Sequence, residues 1–132
     1  MSDHDLPEIS ALGLSGALAR NYAQDARGFL PLLAATLAEA LPDETEVQRR
    51  GGLFQREKPV RKLFVTLGDH LYTLEDVGRG PLLAQRVKIV RGIILKTEPL
   101  PVDAWIQELS AEIAARAQNN ERAFFALRNL FG

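Results

Sequence analysis

The stretch VRKLFVTLGDHLYTLEDV, residues 60–77, decides the fold that the sequence predicts. Two runs rich in β-branched and aromatic residues flank Gly68-Asp69, which is a typical two-residue β-hairpin turn. A turn of this length fixes which residues of the two strands lie opposite each other. It predicts one face built from three opposed pairs: Leu67 with His70, Val65 with Tyr72, and Leu63 with Leu74.

The charged residues of this hairpin support the same register. Continuing it brings Lys62 opposite Glu75 and Arg61 opposite Asp76. Opposite charges in directly paired positions stabilise an antiparallel pair of strands. The charge pattern therefore supports the register independently of the apolar pattern, and it predicts a basic partner for each of the two acids.

Extended segments lie on both sides of the hairpin. The segment TEVQRR, residues 45–50, predicts a short strand, and the glycines and proline of residues 51–59 predict a loop. After a turn at residues 78–81, the segment LLAQRVKIV, residues 82–90, has the alternation of a further strand.

The sheet is predicted to end soon after this strand. Gly92 is interpreted as a bulge or bend, after which residues 93–97 extend or re-angle the same strand. The short connections exclude parallel crossovers. We therefore predict an α+β fold with an antiparallel three- to four-stranded sheet over about residues 45–97, packed by N-terminal and C-terminal helices.

The N-terminal third has the periodicity of helices. Its apolar residues recur at intervals of three and four: Tyr22, Ala26, Phe29, Leu30, Leu33, Leu37 and Leu41. Gly28 and Pro31 interrupt this pattern, and proline fits best in the first turn of a helix. The sequence predicts helices near residues 14–27 and 29–41, preceded by a flexible leader at residues 1–13.

The C-terminal apolar pattern keeps a helical period from Val102 to Phe131. One unbroken helix of about 30 residues would be ~45 Å long, but a domain of this size is only ~35 Å across. The helix either breaks at Gln118-Asn119-Asn120 or projects from the domain. Pro101 is predicted at the first helical position, with Trp105 in the core behind it.

Length and composition predict one domain over residues 1–132. Nearly half of the 132 residues are hydrophobic, a quarter are charged, and the net charge is −1. The chain has no cysteine, which excludes disulfides and thiolate sites. The sequence has neither a secretory h-region nor an apolar run of the ~20 residues that a membrane span needs. We expect a cytoplasmic protein with no membrane association.

No motif for catalysis, cofactor binding or metal binding stands out. His4 and His70 lie far apart, and the glycine pairs lack the spacing of phosphate-binding loops. The serines have no local nucleophile motif. The sequence predicts a protein that is not an enzyme and uses no cofactor. A third function, a small-ligand pocket between sheet and helices, stays open.

Charge is distributed unevenly along the chain. Residues 1–44 have two basic and seven acidic side chains, residues 45–98 have eleven and six, and residues 99–132 have three and four. The basic middle, with Phe54 and Phe64 in it, predicts either a nucleic-acid-binding module or strands that the acidic helices neutralise. The candidate anion contacts are Arg49, Arg50, Arg86, Lys88 and Arg91.

The end of the chain predicts self-association. Five apolar residues crowd into its last nine positions: Phe124, Phe125, Leu127, Leu130 and Phe131. Exposed together they would form a larger apolar patch than monomers usually tolerate. A symmetric dimer would cover it, although folding back onto the N-terminal helices would also bury it. The leading prediction is a non-enzymatic interaction or adaptor-type protein that forms a homodimer and has a further, unidentified protein partner.

Two segments carry a resemblance. RRGGLF, residues 49–54, and VRGIILKTEPLPVDAW, residues 90–105, resemble segments of a family of small bacterial α+β proteins with no assigned activity. The resemblance covers about residues 45–110 and implies a bacterial origin and a small α+β domain, without any site residue. The order of helices and strands is also similar to that of small secretion chaperones, which implies client binding as a further alternative.

Overall fold

The computed structural model describes residues 10–51, 59–118 and 120–128. Within these ranges the chain forms four helices and five strands. Their bounds are α1 Ala11–Gln24, α2 Ala26–Ala40, β1 Thr45–Arg49, β2 Val60–Leu67, β3 His70–Glu75, β4 Leu83–Val90, β5 Ile93–Leu100, α3 Val102–Ala117 and α4 Glu121–Arg128. The α+β class is confirmed.

The five strands form one antiparallel meander in the order β1-β2-β3-β4-β5. The β2–β3 hairpin has the predicted register, with the three apolar-face pairs and the Lys62–Glu75 pair directly opposed. A positive φ of 64° at Gly68 fits a hairpin turn with glycine in its first central position. Turn chemistry and alternation therefore predicted this hairpin correctly.

The register also places Arg61 opposite Asp76, whose N–H donates to the Arg61 carbonyl at 2.9 Å, but the ion pair predicted between these side chains is wrong. The guanidinium of Arg61 lies 3.8 Å from Glu75 rather than pairing with Asp76, and Lys62 lies 3.8 Å from the same carboxylate. The carboxylate of Asp76 instead accepts the backbone N–H of Gly78 at 2.8 Å. Asp76 stands at the end of the ladder, so its side chain stabilises the following turn.

The predicted strand count is also wrong, because residues 93–100 form a fifth strand. Arg91 and Gly92 have φ values of 53° and 80°, and two adjacent positive φ values are those of a type I′ hairpin turn. The chain therefore reverses at Gly92 instead of bending. Pro99 fits inside β5 because β5 lies at the edge of the sheet, where a missing N–H is tolerated.

All described helices lie on one face of the sheet. Helix α2 packs on β1 and β2, α3 packs on β4, α1 packs against α3, and α4 packs against α2. Apolar side chains of all four helices and of β2, β3 and β4 form a single buried cluster. The opposite face of the sheet has no described helix on it, and we call it the open face.

Side-chain caps set the helix starts. Ser10 caps α1, and Asp25 accepts the N–H of Gly28 at 2.9 Å to cap α2. A Cβ at Gly28 would lie only 2.2 Å from that carboxylate, so a larger residue there would displace the capping side chain. The break therefore falls at Asp25, and Pro31 lies inside α2 rather than in its first turn. The predicted leader is wrong for residues 11–13, which are helical, and its first nine residues lie outside the described ranges.

The C-terminal helix breaks where the asparagines predicted it. Helix α3 ends at Ala117, and Asn120 caps α4 by accepting the N–H of Ala123 at 3.0 Å. Pro101 is the N-cap of α3 and not its first helical residue, because its carbonyl accepts the first helical hydrogen bond from Trp105. Trp105 is fully buried, as predicted.

Ser110 provides a direct test of the core. Its hydroxyl is fully buried on α3 and has no hydrogen-bond partner among the described residues. A buried polar group without a partner costs roughly 1–3 kcal/mol. We expect Ser110→Ala to raise the free energy of unfolding by about 1 kcal/mol in urea denaturation. A loss of stability of similar size would show that the hydroxyl makes a stabilising bond.

Candidate interaction surface at the sheet edge

Arg86 forms ion pairs within the chain. It lies on the helix-covered face of β4, directly opposite Tyr72 on one side and Glu98 on the other. Its guanidinium bonds Glu98 at 2.7 Å and also bonds Glu108 of α3. These two hydrogen bonds raise the pKa of Arg86, and the bond from Arg86, followed by the charge of Lys96, lowers the pKa of Glu98. The prediction of Arg86 as an anion contact is corrected, because it links β4 to β5 and α3.

The other four predicted anion contacts do not form one surface. Arg49 and Arg50 lie at the end of β1 that pairs with Val60, whereas Lys88 and Arg91 lie at the opposite end of β4. These two groups lie three strand spacings apart across the sheet and seven residues apart along the strands. The distance between them is therefore roughly 25 Å. Phe54 lies outside the described residues, and Phe64 on the open face has Lys62 above its ring at 5.1 Å.

The predicted helical self-association patch is corrected for two of its residues. Phe124 and Leu127 are buried within the single chain, where α4 packs against α2. Phe125 is 47% exposed, and Arg128 lies over its ring at 5.8 Å. Leu130 and Phe131 lie outside the described residues. The break at Gln118 lets α4 turn back, so the protein's own α2 covers Phe124 and Leu127.

A small cleft lies between the start of α2 and the β3–β4 loop. It is lined by Arg27, Asp76, Arg79 and their neighbours and holds about 60 Å³. Sites for small molecules typically enclose ~300–1,000 Å³. The cleft is too small for such a ligand, and it does not lie between sheet and helices as the small-ligand alternative requires.

The end of the β4–β5 hairpin exposes the most contiguous apolar surface of the sheet. Ile93, Ile94 and Leu95 are 62%, 64% and 58% exposed. We call these three residues the edge segment. They are consecutive in the chain and lie on β5, which has a described neighbouring strand on one side only.

A β-bulge explains why three consecutive side chains are exposed. Ile94 pairs with Ile89, whereas Lys96 pairs with Lys88, so Leu95 is an extra residue on β5. A bulge interrupts the alternation that otherwise sends successive side chains to opposite faces. The hairpin also extends beyond β3, whose pairing with β4 ends at Lys88. The edge segment therefore has few neighbours on either side.

Two features adjoin the edge segment. On the open face, an uncharged region of Leu71, Val87 and Ile89 continues from Ile94, since Leu71 pairs with Val87 and Ile89 with Ile94. On the helix-covered face, Lys88 is opposed by Lys96. Lys96 also lies 3.6 Å from the carboxylate of Glu98, so opposite charges alternate along the outer strand.

Neither a metal site nor a membrane span marks another function in the described parts of the chain. No group of three potential ligands that could hold a metal ion lies within residues 10–51, 59–118 and 120–128. None of the helices in those ranges combines the length and the hydropathy that a membrane crossing requires. No protein-family model, curated protein or solved structure matches the chain.

Proposed function

We propose that this protein is a non-enzymatic interaction protein that binds another protein chain through the edge segment. The observation that carries the proposal is the exposure of Ile93, Ile94 and Leu95 side by side on an edge strand. Self-association is part of the proposal, as is the cytoplasmic location that a cysteine-free chain fits.

Edge strands bind protein chains for a simple physical reason. Their outer N–H and C=O groups are free to pair with another strand, and natural proteins usually protect such edges. Here Lys96 and Pro99 protect only the second half of β5. The first half presents three large apolar side chains instead.

Burying the edge segment would contribute substantially to the affinity of a complex. Fully burying an Ile or Leu side chain contributes ~1.5–3 kcal/mol. With about 60% of each side chain exposed, the edge segment offers roughly 3–5 kcal/mol on binding. That corresponds to a factor of ~10²–10⁴ in affinity.

Site-specific photo-crosslinking in the producing cells tests the proposal. With p-benzoylphenylalanine at Ile94, we expect a discrete crosslinked adduct. The control carries the same group at Leu12, which is 85% exposed on α1 and outside the sheet. We expect the adduct to weaken when Ile93→Lys is added to the Ile94 probe.

The outcomes separate the alternatives. An adduct of twice the chain mass identifies self-association, and one of another mass identifies a different protein. An extended client segment, as in the chaperone-like alternative, would give adducts with several masses. No adduct at Ile94, or equal adducts at both positions, would contradict the proposal.

A further inference from the structure

We infer that the protein chain bound at the edge segment is a second copy of this protein, with the two β5 strands paired antiparallel around Thr97. This inference rests on the proposed function of the edge. It would join the two sheets into one continuous sheet of ten strands, with the described helices of both copies on the same face.

The charge pattern of β5 favours this register. In an antiparallel pair centred on Thr97, Lys96 lies opposite the partner's Glu98, and Glu98 opposite the partner's Lys96. Both residues lie on the helix-covered face, since they pair with Lys88 and Arg86 of β4. Opposite charges directly across a pair stabilise it. The strand is therefore complementary to itself.

The neighbouring symmetric registers oppose like charges. Moving the centre to Lys96 places two lysines against each other, and moving it to Glu98 places two glutamates against each other. Like charges in directly opposed positions are destabilising. The sequence Lys96-Thr97-Glu98 thus selects one register among the three.

Side chains already in place support the pairing. Arg86 fixes the carboxylate of Glu98 at 2.7 Å, so the acid is positioned before a partner arrives. Lys96 is exposed and contacts Glu98 only at 3.6 Å. Pro99 lacks an N–H, which costs one ladder hydrogen bond in each copy.

Charge reversal tests the register in solution. The dissociation constant is measured by sedimentation from about 1 µM to about 1 mM, a range that covers small interfaces. We expect the native protein to dimerise. Lys96→Glu alone and Glu98→Lys alone should each weaken the dimer by roughly 30-fold, because two attractive pairs become repulsive. An equimolar mixture of the two variants should form a heterodimer.

Two controls accompany this experiment. Arg79→Glu, on the exposed β3–β4 loop, changes the net charge by the same amount as Lys96→Glu. It should leave dimerisation unchanged. Thr97→Cys provides a second route if Glu98→Lys fails to fold, because the chain has no other cysteine. Directly opposed Cβ atoms lie ~4.5–5.5 Å apart. Oxidation should therefore link Thr97→Cys into a covalent dimer, but not Gln48→Cys on the opposite edge strand.

The results that would overturn the inference differ from those that would overturn the proposed function. A native protein that stays monomeric up to about 1 mM, with no covalent Thr97→Cys dimer, rules out the second copy. A dimer that Lys96→Glu leaves intact, or a mixture that stays monomeric, rules out the register. In each case an Ile94 adduct with a different protein would still support the edge as an interaction surface.

Discussion

Trp105→Ala is expected to cost about 3–5 kcal/mol of the free energy of unfolding. The Trp105 side chain is fully buried, and its ring meets that of Tyr72 edge-on at 6.4 Å between centroids. The indole N–H donates to the carbonyl of Gln85 at 3.2 Å. Truncation leaves both a cavity and an unpaired carbonyl between α3 and β4. Since domains have only about 5–15 kcal/mol of stability, the variant should be partly unfolded at 37 °C.

Urea denaturation followed by far-ultraviolet circular dichroism measures this loss, because the substitution removes the only tryptophan. The matched control is Trp105→Phe, which keeps most of the ring and loses the hydrogen bond to Gln85. We expect Trp105→Phe to lower the free energy of unfolding by roughly 1–2 kcal/mol. If Trp105→Ala lost less than about 1 kcal/mol, the tryptophan would not be a core residue.

Leu127→Ala is expected to lower the free energy of unfolding by about 2–5 kcal/mol, which is the second large effect. Leu127 is fully buried where α4 packs against α2. Phe125 lies on the same helix, two residues away, and is 47% exposed. Phe125→Ala should therefore cost less than about 1 kcal/mol. Comparing the two variants distinguishes an α4 that packs into the core of its own chain from an α4 that contacts a second chain.

Denaturation and solution mass are measured together for both variants. An intramolecular α4 predicts a large loss of stability in Leu127→Ala, at any protein concentration, with the association state unchanged in the fraction that remains folded. A stable, folded Leu127→Ala whose solution mass is halved would instead place the dimer contact on α4. That result would also contradict a dimer formed through β5.

Local patterns in the sequence determined several elements. Gly68-Asp69, together with alternation on both sides, was enough for the β2–β3 hairpin and its register. The pair Arg91-Gly92 has no such signal, because arginine rarely adopts a positive φ. The sequence therefore predicted a bend there, and the fifth strand was missed. The edge segment was missed with it, although three apolar residues in a row already break the period of a half-exposed strand.

The tertiary structure decided which surfaces meet. The same helical period in residues 121–128 fits a dimer surface or an internal helix, and only the packing of α4 on α2 places Leu127 inside. The alternation of β4 put Arg86 on one face, but the sequence does not say that Glu108, 22 residues away, lies over that face. Periodicity is a local property and can be read from neighbouring residues. Burial and charge pairing depend on residues distant in the chain, and these come together only when the chain folds.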